Sequence, residues 1–285
     1  MARRKKKHSS RRLLAAVLAL VALFSLLLYR SNRTLQTQRF SCAFQDLPAA
    51  FDDFTIVHLT DLHGAEFGKR NHDLLLAVSE ARPDCIVITG DLLDQDQTNA
   101  ESYIASIAPV FSELAPTYFV TGNHEWARED AREMKEKLLE CGVTVLSNEA
   151  ISLTREEESI VLAGIDDPNG FADQKTPEVL AAEIYEATED PFWILLAHRN
   201  THFVPQYSLL GADLVLSGHG HGGMIRLPFT DGLISADRTL FPSYTAGFYE
   251  EHGSTLFVSR GLGNSGNSFR LFNRPQVAVL TLKCK

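Results

Sequence analysis

The chain is predicted to be an α/β fold with a second, mixed sheet, carried behind one N-terminal membrane-spanning helix. Three observations predict it. Apolar runs of strand length end again and again in polar and glycine clusters, and a helix-like stretch usually follows. From Met224 to Lys285 the pattern turns strand-rich instead. The N-terminus is a basic tail followed by an apolar run.

The tail covers residues 1–12 and includes Arg3, Arg4, Lys5, Lys6, Lys7, Arg11 and Arg12. Leu13–Tyr29 is apolar apart from Ser25 and the Tyr29 hydroxyl, a length at the short end for crossing a bilayer. No small-x-small cleavage site follows, because the next residues are Leu28-Tyr29-Arg30, so the segment reads as an uncleaved anchor rather than a removed signal. The positive-inside rule puts the basic tail in the cytoplasm and the body outside it, as a single-pass plasma-membrane protein. Residues 30–50 read as a polar linker leading into a first strand, and 51–285 as the folded body.

Within the body, the strand Thr55–Thr60 leads to Asp61-Leu62-His63, and Asn71–Ala81 reads as a helix closed by Pro83. Cys85–Thr89 leads to Gly90-Asp91, and Ala100–Leu114 is helical. Pro116–Val120 leads to Thr121-Gly122-Asn123-His124-Glu125, with a helix over Arg128–Cys141. Short strands follow at Val143–Leu146, Ile151–Leu153 and Ile160–Ala163, then a helix at Thr176–Glu186. Phe192–Leu196 is a strand ending in Ala197-His198, and Asp213–Leu216 one ending in Ser217-Gly218-His219-Gly220-His221. Leu256–Ser259 and Val277–Thr281 are the clearest strands of the tail.

The 285 residues suffice for a full core, and 45% hydrophobic with 22% charged residues is ordinary for a globular chain. Residues 1–39 hold ten bases and no acid, leaving 17 of the 27 bases against all 36 acids, a net of −19 for the rest. An acidic body excludes general nucleic-acid binding, which needs Lys and Arg on phosphates, but admits a small phosphate ester held through cations. The four cysteines form no C-x-x-C pair, which excludes zinc knuckles and redox motifs. Cys85 reads as a core residue. Cys42 and Cys284, near the two ends of an exported body, are expected to pair.

Five strand ends carry metal-type side chains: Asp61 and His63, Asp91, Asn123 and His124, His198, and His219 and His221. In α/β sheets ligands bind outside the carboxyl ends of strands. Alternate residues of extended chain point the same way, so Asp-x-His and His-x-His can each aim two side chains at one ion. Each residue alone has a bland reading: a packed histidine, a Gly-Asp turn, an Asn-His helix start. Their common position at one sheet edge is hard to explain structurally. His58, inside a strand, reads as packed. Ser265 is not a hydrolase nucleophile, because no strand–turn–helix frames its Gly-x-Ser-x-Gly surroundings. Arg199, Arg226, Arg260 and Arg270 could contact a phosphate or head group, with a surface position the default reading for each.

Asp61-x-His63, Gly90-Asp91, Gly122-Asn123-His124-Glu125, His198 and Gly218-His219-Gly220-His221 together resemble the ordered motifs of the calcineurin-like metallophosphoesterases. The later blocks Gly222–Pro228, Ser259–Gly263 and Arg270–Pro275 look like the branch of small membrane-anchored or exported bacterial phosphodiesterases. Gly220 stands where threonine is frequent, and Met224 where glutamine is. The resemblance implies a four-layer sandwich, two packed mixed sheets flanked by helices. It implies one divalent ion on Asp61, His63, Asp91 and His221 and a second on Asp91, Asn123, His198 and His219. Such imidazole–oxygen sets suit Mn, Fe or Zn. It further implies His124 as the residue facing the leaving group and Asp94 as the acid orienting it. The expected reaction is hydrolysis of a phosphodiester or pyrophosphate bond, and the membrane location points to a lipid-linked or cell-envelope substrate. A protein or small-molecule phosphomonoesterase is the alternative enzyme. The protein-phosphatase form of it is disfavoured because Leu92-Leu93-Asp94-Gln95 replaces the arginine-bearing Val-Asp-Arg-Gly of that branch. A non-catalytic metal-stabilised envelope module is the remaining reading.

Overall fold

The computed structural model describes residues 2–170, 174–227, 231–235, 238–266 and 268–285, with side chains from residue 11 onward. Met1, Pro228 and the side chains of the basic tail before Arg11 lie outside the described residues. Helix α1 (Ala2–Arg33) runs through tail and apolar segment without a break. Its stretch Arg11–Arg33 is 23 residues, and an 18-residue window within it has a mean hydropathy of 2.3 and is not buried against the body. At 1.5 Å per residue that is long enough to cross a bilayer.

Two six-stranded sheets follow. The first contains β1 (Gln36–Phe44), β2 (Thr55–Leu59), β3 (Cys85–Thr89), β4 (Thr117–Val120), β5 (Thr144–Val145) and β12 (Gln276–Cys284), in the order β1-β12-β2-β3-β4-β5. The second contains β6 (Glu149–Arg155), β7 (Glu158–Gly164), β8 (Trp193–Arg199), β9 (Leu214–Gly218), β10 (Gly247–Glu251) and β11 (Ser254–Val258), in the order β10-β11-β9-β8-β7-β6. Both are mixed: β2–β5 run parallel with β12 antiparallel to β2, and β7, β8, β9 and β11 run parallel with antiparallel edges.

Alternation along the strands builds three cores. Val87, Ile194, Leu196 and Leu214 fill the space between the sheets. Ile86 and Ile88 turn outward to α2 (His72–Ala81), α3 (Ala100–Leu114) and α5 (Ala131–Glu140). Trp193, Leu195 and Ala197 turn outward to α6 (Pro177–Ala187). Strands covered on both faces must be apolar throughout, which is why their sequences read as unbroken runs. The result is the expected helix–sheet–sheet–helix sandwich.

Three readings need correction. The helix predicted over Arg128–Cys141 starts later, at Ala131 (α5), after a separate short helix, α4 (Asn123–Trp126). Between them Arg128 turns away to bond the Asp94 and Gln97 carbonyls and to pair with Asp130. Cys42 and Cys284 are free thiols. Parallel register sets Cys42 opposite Leu282, so the pair is offset by two residues. Cys42 is buried and its Sγ lies near the Thr281 carbonyl, while Cys284 is exposed and its Sγ lies near that of Leu47. A two-residue diagonal on neighbouring strands is too long for a disulfide. The four arginines are not simple surface residues. Arg270 is fully buried, Arg199 forms a two-bond pair with Asp167, and Arg226 and Arg260 are half-buried against Gly222 and Gln38.

Candidate metal centre

All the predicted side chains converge where the carboxyl ends of β2, β3 and β4 meet those of β8 and β9. Asp61 and His63 follow β2, Asp91 follows β3, Asn123 and His124 open α4 after β4, and His219 and His221 follow β9. His198 lies inside β8, where a register irregularity between Leu196 and Arg199 re-aims the strand.

The backbone is bent hard to do this. Asp61, His63, Asp91, His219 and His221 all have positive φ, between 47° and 67°. Left-handed backbone costs energy at any residue with a Cβ, and such strain gathers at functional sites. Room is equally tight. A side chain at Gly90 would meet the Gly122 amide at 2.4 Å, and one at Gly122 would meet Asp91 Oδ1 at 2.3 Å.

Besides a group of His63, Asp94 and His124, two clusters of donor atoms result, each with all its members within 4.8 Å: Asp61, His63, Asp91 and His221, and Asp91, His198 and His219. Asp91 belongs to both. Its Oδ2 lies 3.7 Å from His63 Nε2 and 3.2 Å from His198 Nε2. In each cluster two imidazole nitrogens face each other at 3.2 Å: Nε2 of His63 and His221, and Nε2 of His198 with Nδ1 of His219. That is close to the roughly 3.4 Å separating two nitrogens about 2.1 Å from a tetrahedral ion. Asn123 Oδ1, at the start of α4, is buried and has no hydrogen-bond partner among the described residues. A buried carbonyl oxygen without a donor is costly unless a cation takes the place of one. The donor set and its orphaned oxygen therefore fit two divalent ions sharing Asp91.

The surroundings prepare the rings as ligands. His198 Nδ1 is 2.8 Å from the Thr89 carbonyl, to which it can only donate, and this turns Nε2 toward Asp91. Burial lowers the proton affinity of His63 to about 4 and of His219 to about 3. Burial, then His63 and Arg270, lower that of His221. These rings are neutral at pH 7, as ligands must be. Burial also works against the charges of Asp91 and His198, yet their mutual attraction dominates. It holds the Asp91 carboxyl well below its usual range and raises His198 to about 10 in the ion-free protein.

His124 stands beside this centre, its ring 4.6 Å from that of His63. Its backbone amide donates to Asp91 Oδ1 at 2.9 Å. Nδ1 lies 3.2 Å from Asp94 Oδ1 and 3.3 Å from the Gln95 amide. It can donate to the first or accept from the second, so protonation selects the Asp94 contact. Nε2 faces Ser265 Oγ at 3.3 Å, and Asp94 Oδ2 accepts from the Gly266 amide at 3.0 Å.

Three residues escaped the sequence reading. Glu125, fully buried, accepts from the Asp91 amide at 2.8 Å and the Gly122 amide at 2.7 Å, tying two ligand loops together. Arg270 donates to the carbonyls of Arg260 at 2.6 Å and Gly263 at 2.7 Å and approaches His221 Nδ1 at 3.3 Å. Ser265 was judged only as a nucleophile, yet it touches the His124 ring. Glu125 and Arg270 stand inside recognisable motif blocks, which was the available signal. Ser265 has no local signal, because its partner is 141 residues away.

Similarity to known proteins agrees with this geometry. The family model for calcineurin-like phosphoesterases matches residues 54–223. The metallophosphoesterase Cj0846 of Campylobacter jejuni is 30% identical over all of this chain and 74% of its own length. The phosphodiesterase YaeI of Escherichia coli is 27% identical, covering 80% of this chain and 82% of itself. A transmembrane protein with a metallophosphoesterase domain from Bos taurus is 31% identical over 83% of this chain and 54% of its own. A dimetal phosphatase from Danio rerio shares the fold with a TM-score of 0.50 at 12% identity, over 74% of this chain and 88% of its own. With the motif order, the sandwich and the double donor cluster all agreeing, the chain belongs to the calcineurin-like phosphoesterase family.

Proposed function

We propose that the protein is a membrane-anchored, two-metal phosphodiesterase or pyrophosphatase acting on a lipid-linked or cell-envelope substrate, with its catalytic body outside the cytoplasm. The observation that carries the reading is Asp91, shared by two donor clusters and hydrogen-bonded to the amide of His124. Asp61, His63, Asp91 and His221 would hold one ion, and Asp91, Asn123, His198 and His219 the other. Mn, Fe and Zn suit this mixed imidazole–oxygen set. When bound, two such ions would supply an activated water and neutralise the phosphoryl oxygens for in-line displacement.

The chain's own groups do the rest. His124, protonated on both nitrogens, donates from Nε2 to the departing oxygen, while Asp94 accepts from Nδ1 and keeps the ring in that orientation. Glu125 keeps the Asp91 and Asn123 loops in step through two amide bonds. The basic tail at the start of α1 supports the cytoplasmic side for the N-terminus. The similarity to a protein named as a phosphodiesterase supports the diester reading over the monoester one.

Metal analysis of the full-length protein together with turnover of bis-p-nitrophenyl phosphate and of a phosphopeptide tests it. The expected result is two ions per chain and turnover of the diester. Turnover confined to the phosphopeptide would replace the diesterase assignment with a phosphomonoesterase. Absence of turnover with Mn, Fe, Zn, Co and Ni would replace it with a metal-stabilised module.

A further inference from the structure

We infer that an aromatic rim beside the metal centre, built by Leu240, Phe241, Phe269 and Phe272, inserts into the surface of the bilayer that α1 crosses. The inference rests on α1 being a membrane span, and it does not depend on the substrate.

Exposure comes first. The four side chains are 65%, 76%, 52% and 47% exposed. Among the described residues outside α1, three of the four exposed phenylalanines belong to this group, with Phe248 the exception. Clustered exposed apolar groups on a folded chain mark an interaction surface.

Continuity comes second. Leu271 bridges to Ile225, Met224 to Ile234, and Ile234 to Leu240, while the Phe241 amide donates to the Leu233 carbonyl. The segments bearing the four side chains are thus one hydrogen-bonded patch. That patch is tied to the end of α1. Ser31 Oγ accepts from the Phe272 amide at 2.9 Å. Asn32 donates to the Arg270 carbonyl at 2.9 Å and accepts from the Arg270 amide at 2.8 Å and the Asn264 side chain at 2.9 Å. The apolar run of α1 ends at Tyr29, so Ser31 sits about 3 Å further along the helix axis. Phe272 is held at the depth where the chain leaves the hydrocarbon, the level at which aromatic rings favour the interface.

Backbone strain comes third. Phe241 and Phe272 have φ of 51° and 56°, left-handed values that are outliers for bulky residues. Within the body these two residues combine a strained backbone with an exposed ring. Insertion of the rings into lipid would offset both.

The same patch borders the site. Thr239 and Pro242, either side of Leu240 and Phe241, line a cavity of about 260 Å³ whose wall includes His219. A rim seated in the bilayer would place this opening, and the donor clusters behind it, against lipid head groups.

The test uses the full-length protein in phosphatidylcholine vesicles whose acyl chains are brominated near the head group. Single tryptophans are placed by Phe241→Trp and Phe272→Trp on the rim. Leu18→Trp marks the span, and Leu139→Trp the exposed face of α5. After subtraction of the parent signal, which contains Trp126 and Trp193, quenching at Phe241→Trp, Phe272→Trp and Leu18→Trp but not Leu139→Trp is expected. Quenching at Leu18→Trp alone would overturn the rim. Quenching at none of the four would overturn the span and the rim with it. A rim tryptophan shielded from aqueous acrylamide yet blind to brominated lipid would mean that protein covers the patch, which also overturns the inference.

Discussion

The donor centre is assembled from two regions that are built differently. Residues 55–218 deliver Asp61, Asp91, Asn123 and His198 from the ends of regular strands packed on both faces. The segment 222–275 has few regular strands and holds its part together by isolated bridges, left-handed residues and one buried arginine. His221 is the hinge between them: its side chain joins the first cluster, while its carbonyl accepts from Asn273 Nδ2 at 2.7 Å and from Arg270 Nη1 at 3.3 Å. In the first region a ligand is placed by the core beneath it. In the second it is placed by hydrogen bonds that must all be made at once, so the two should fail in different ways.

The largest effect belongs to the frame. Asp91→Asn removes the charge common to both clusters, with little change in shape. Diester turnover should fall at least about 10³-fold, since losing one aimed electrostatic partner already costs roughly 10²–10³. Metal content should drop with it, and the melting temperature of the chelated protein should fall, because the buried His198 loses the charge that pairs with it. Near-normal turnover in this variant would remove Asp91 from the centre.

The matching break in the loop region is Arg270→Met, which keeps bulk and deletes a buried fork. The Arg260 and Gly263 carbonyls would lose their donors, at a cost of roughly 3 kcal/mol or more. Ion affinity should fall roughly 10- to 100-fold, as expected when a group that orients a ligand is lost. Thermal melting with and without chelator checks both. If the variant binds metal normally, His221 is held by the strand end alone and the contrast between the regions collapses.

A third change probes the seam, where a frame residue meets a loop residue. His124→Ala should leave both ions in place and lower turnover about 10²–10⁴-fold, the usual range for a general acid. The loss should shrink for a p-nitrophenolate leaving group, which departs without a proton. Asp94→Asn should act in the same direction but more weakly, since it disturbs only the orientation of the ring. Equal losses for good and poor leaving groups would assign His124 to phosphate binding instead.

The same division governs what was legible in the sequence. Thr55–Thr60, Cys85–Thr89 and Ala100–Leu114 could be read almost to the residue because the signal is local: an apolar period bounded by glycine or polar turns. The ligand residues stood out because strand ends carry their chemistry in two or three adjacent positions. Arg270, Ser265 and the Asn32 contacts have no such local cause. Asn32 meets Arg270 across 238 residues, and Ser265 meets His124 across 141. The false helix start at Arg128 has the same origin, since that residue has good helix propensity but is drawn away by distant carbonyls. The cysteine pairing failed on register. Nearness of the chain ends was correct in kind, and β1 does pair with β12, but a parallel ladder sets Cys42 beside Leu282.

The smallest predicted effect lies at the far end of the frame. Asp213 immediately precedes β9, at the end opposite His219, and accepts from the Trp193 amide at 2.8 Å. Burial raises its carboxyl to about 6, Asp46 and Asp190 add to this, and the Trp193 bond opposes it. Its folded value thus lies above the unfolded one of about 3.9. Its contribution to stability is therefore fully present below about pH 3.9 and is lost as pH rises through about 6. Asp213→Asn mimics the protonated form and keeps an acceptor for the Trp193 amide. In chelated protein it should add about 1 kcal/mol at pH 7, after allowance for the part of the group that faces water, and nothing at pH 4. Denaturant melts at the two pH values check the sign. A gain at both would trace the effect to packing rather than charge. A loss at both would mean that the Trp193 bond needs the full carboxylate. Only the second result would show that this end of the frame, like the loops at the other, depends on one particular hydrogen bond rather than on the core beneath it.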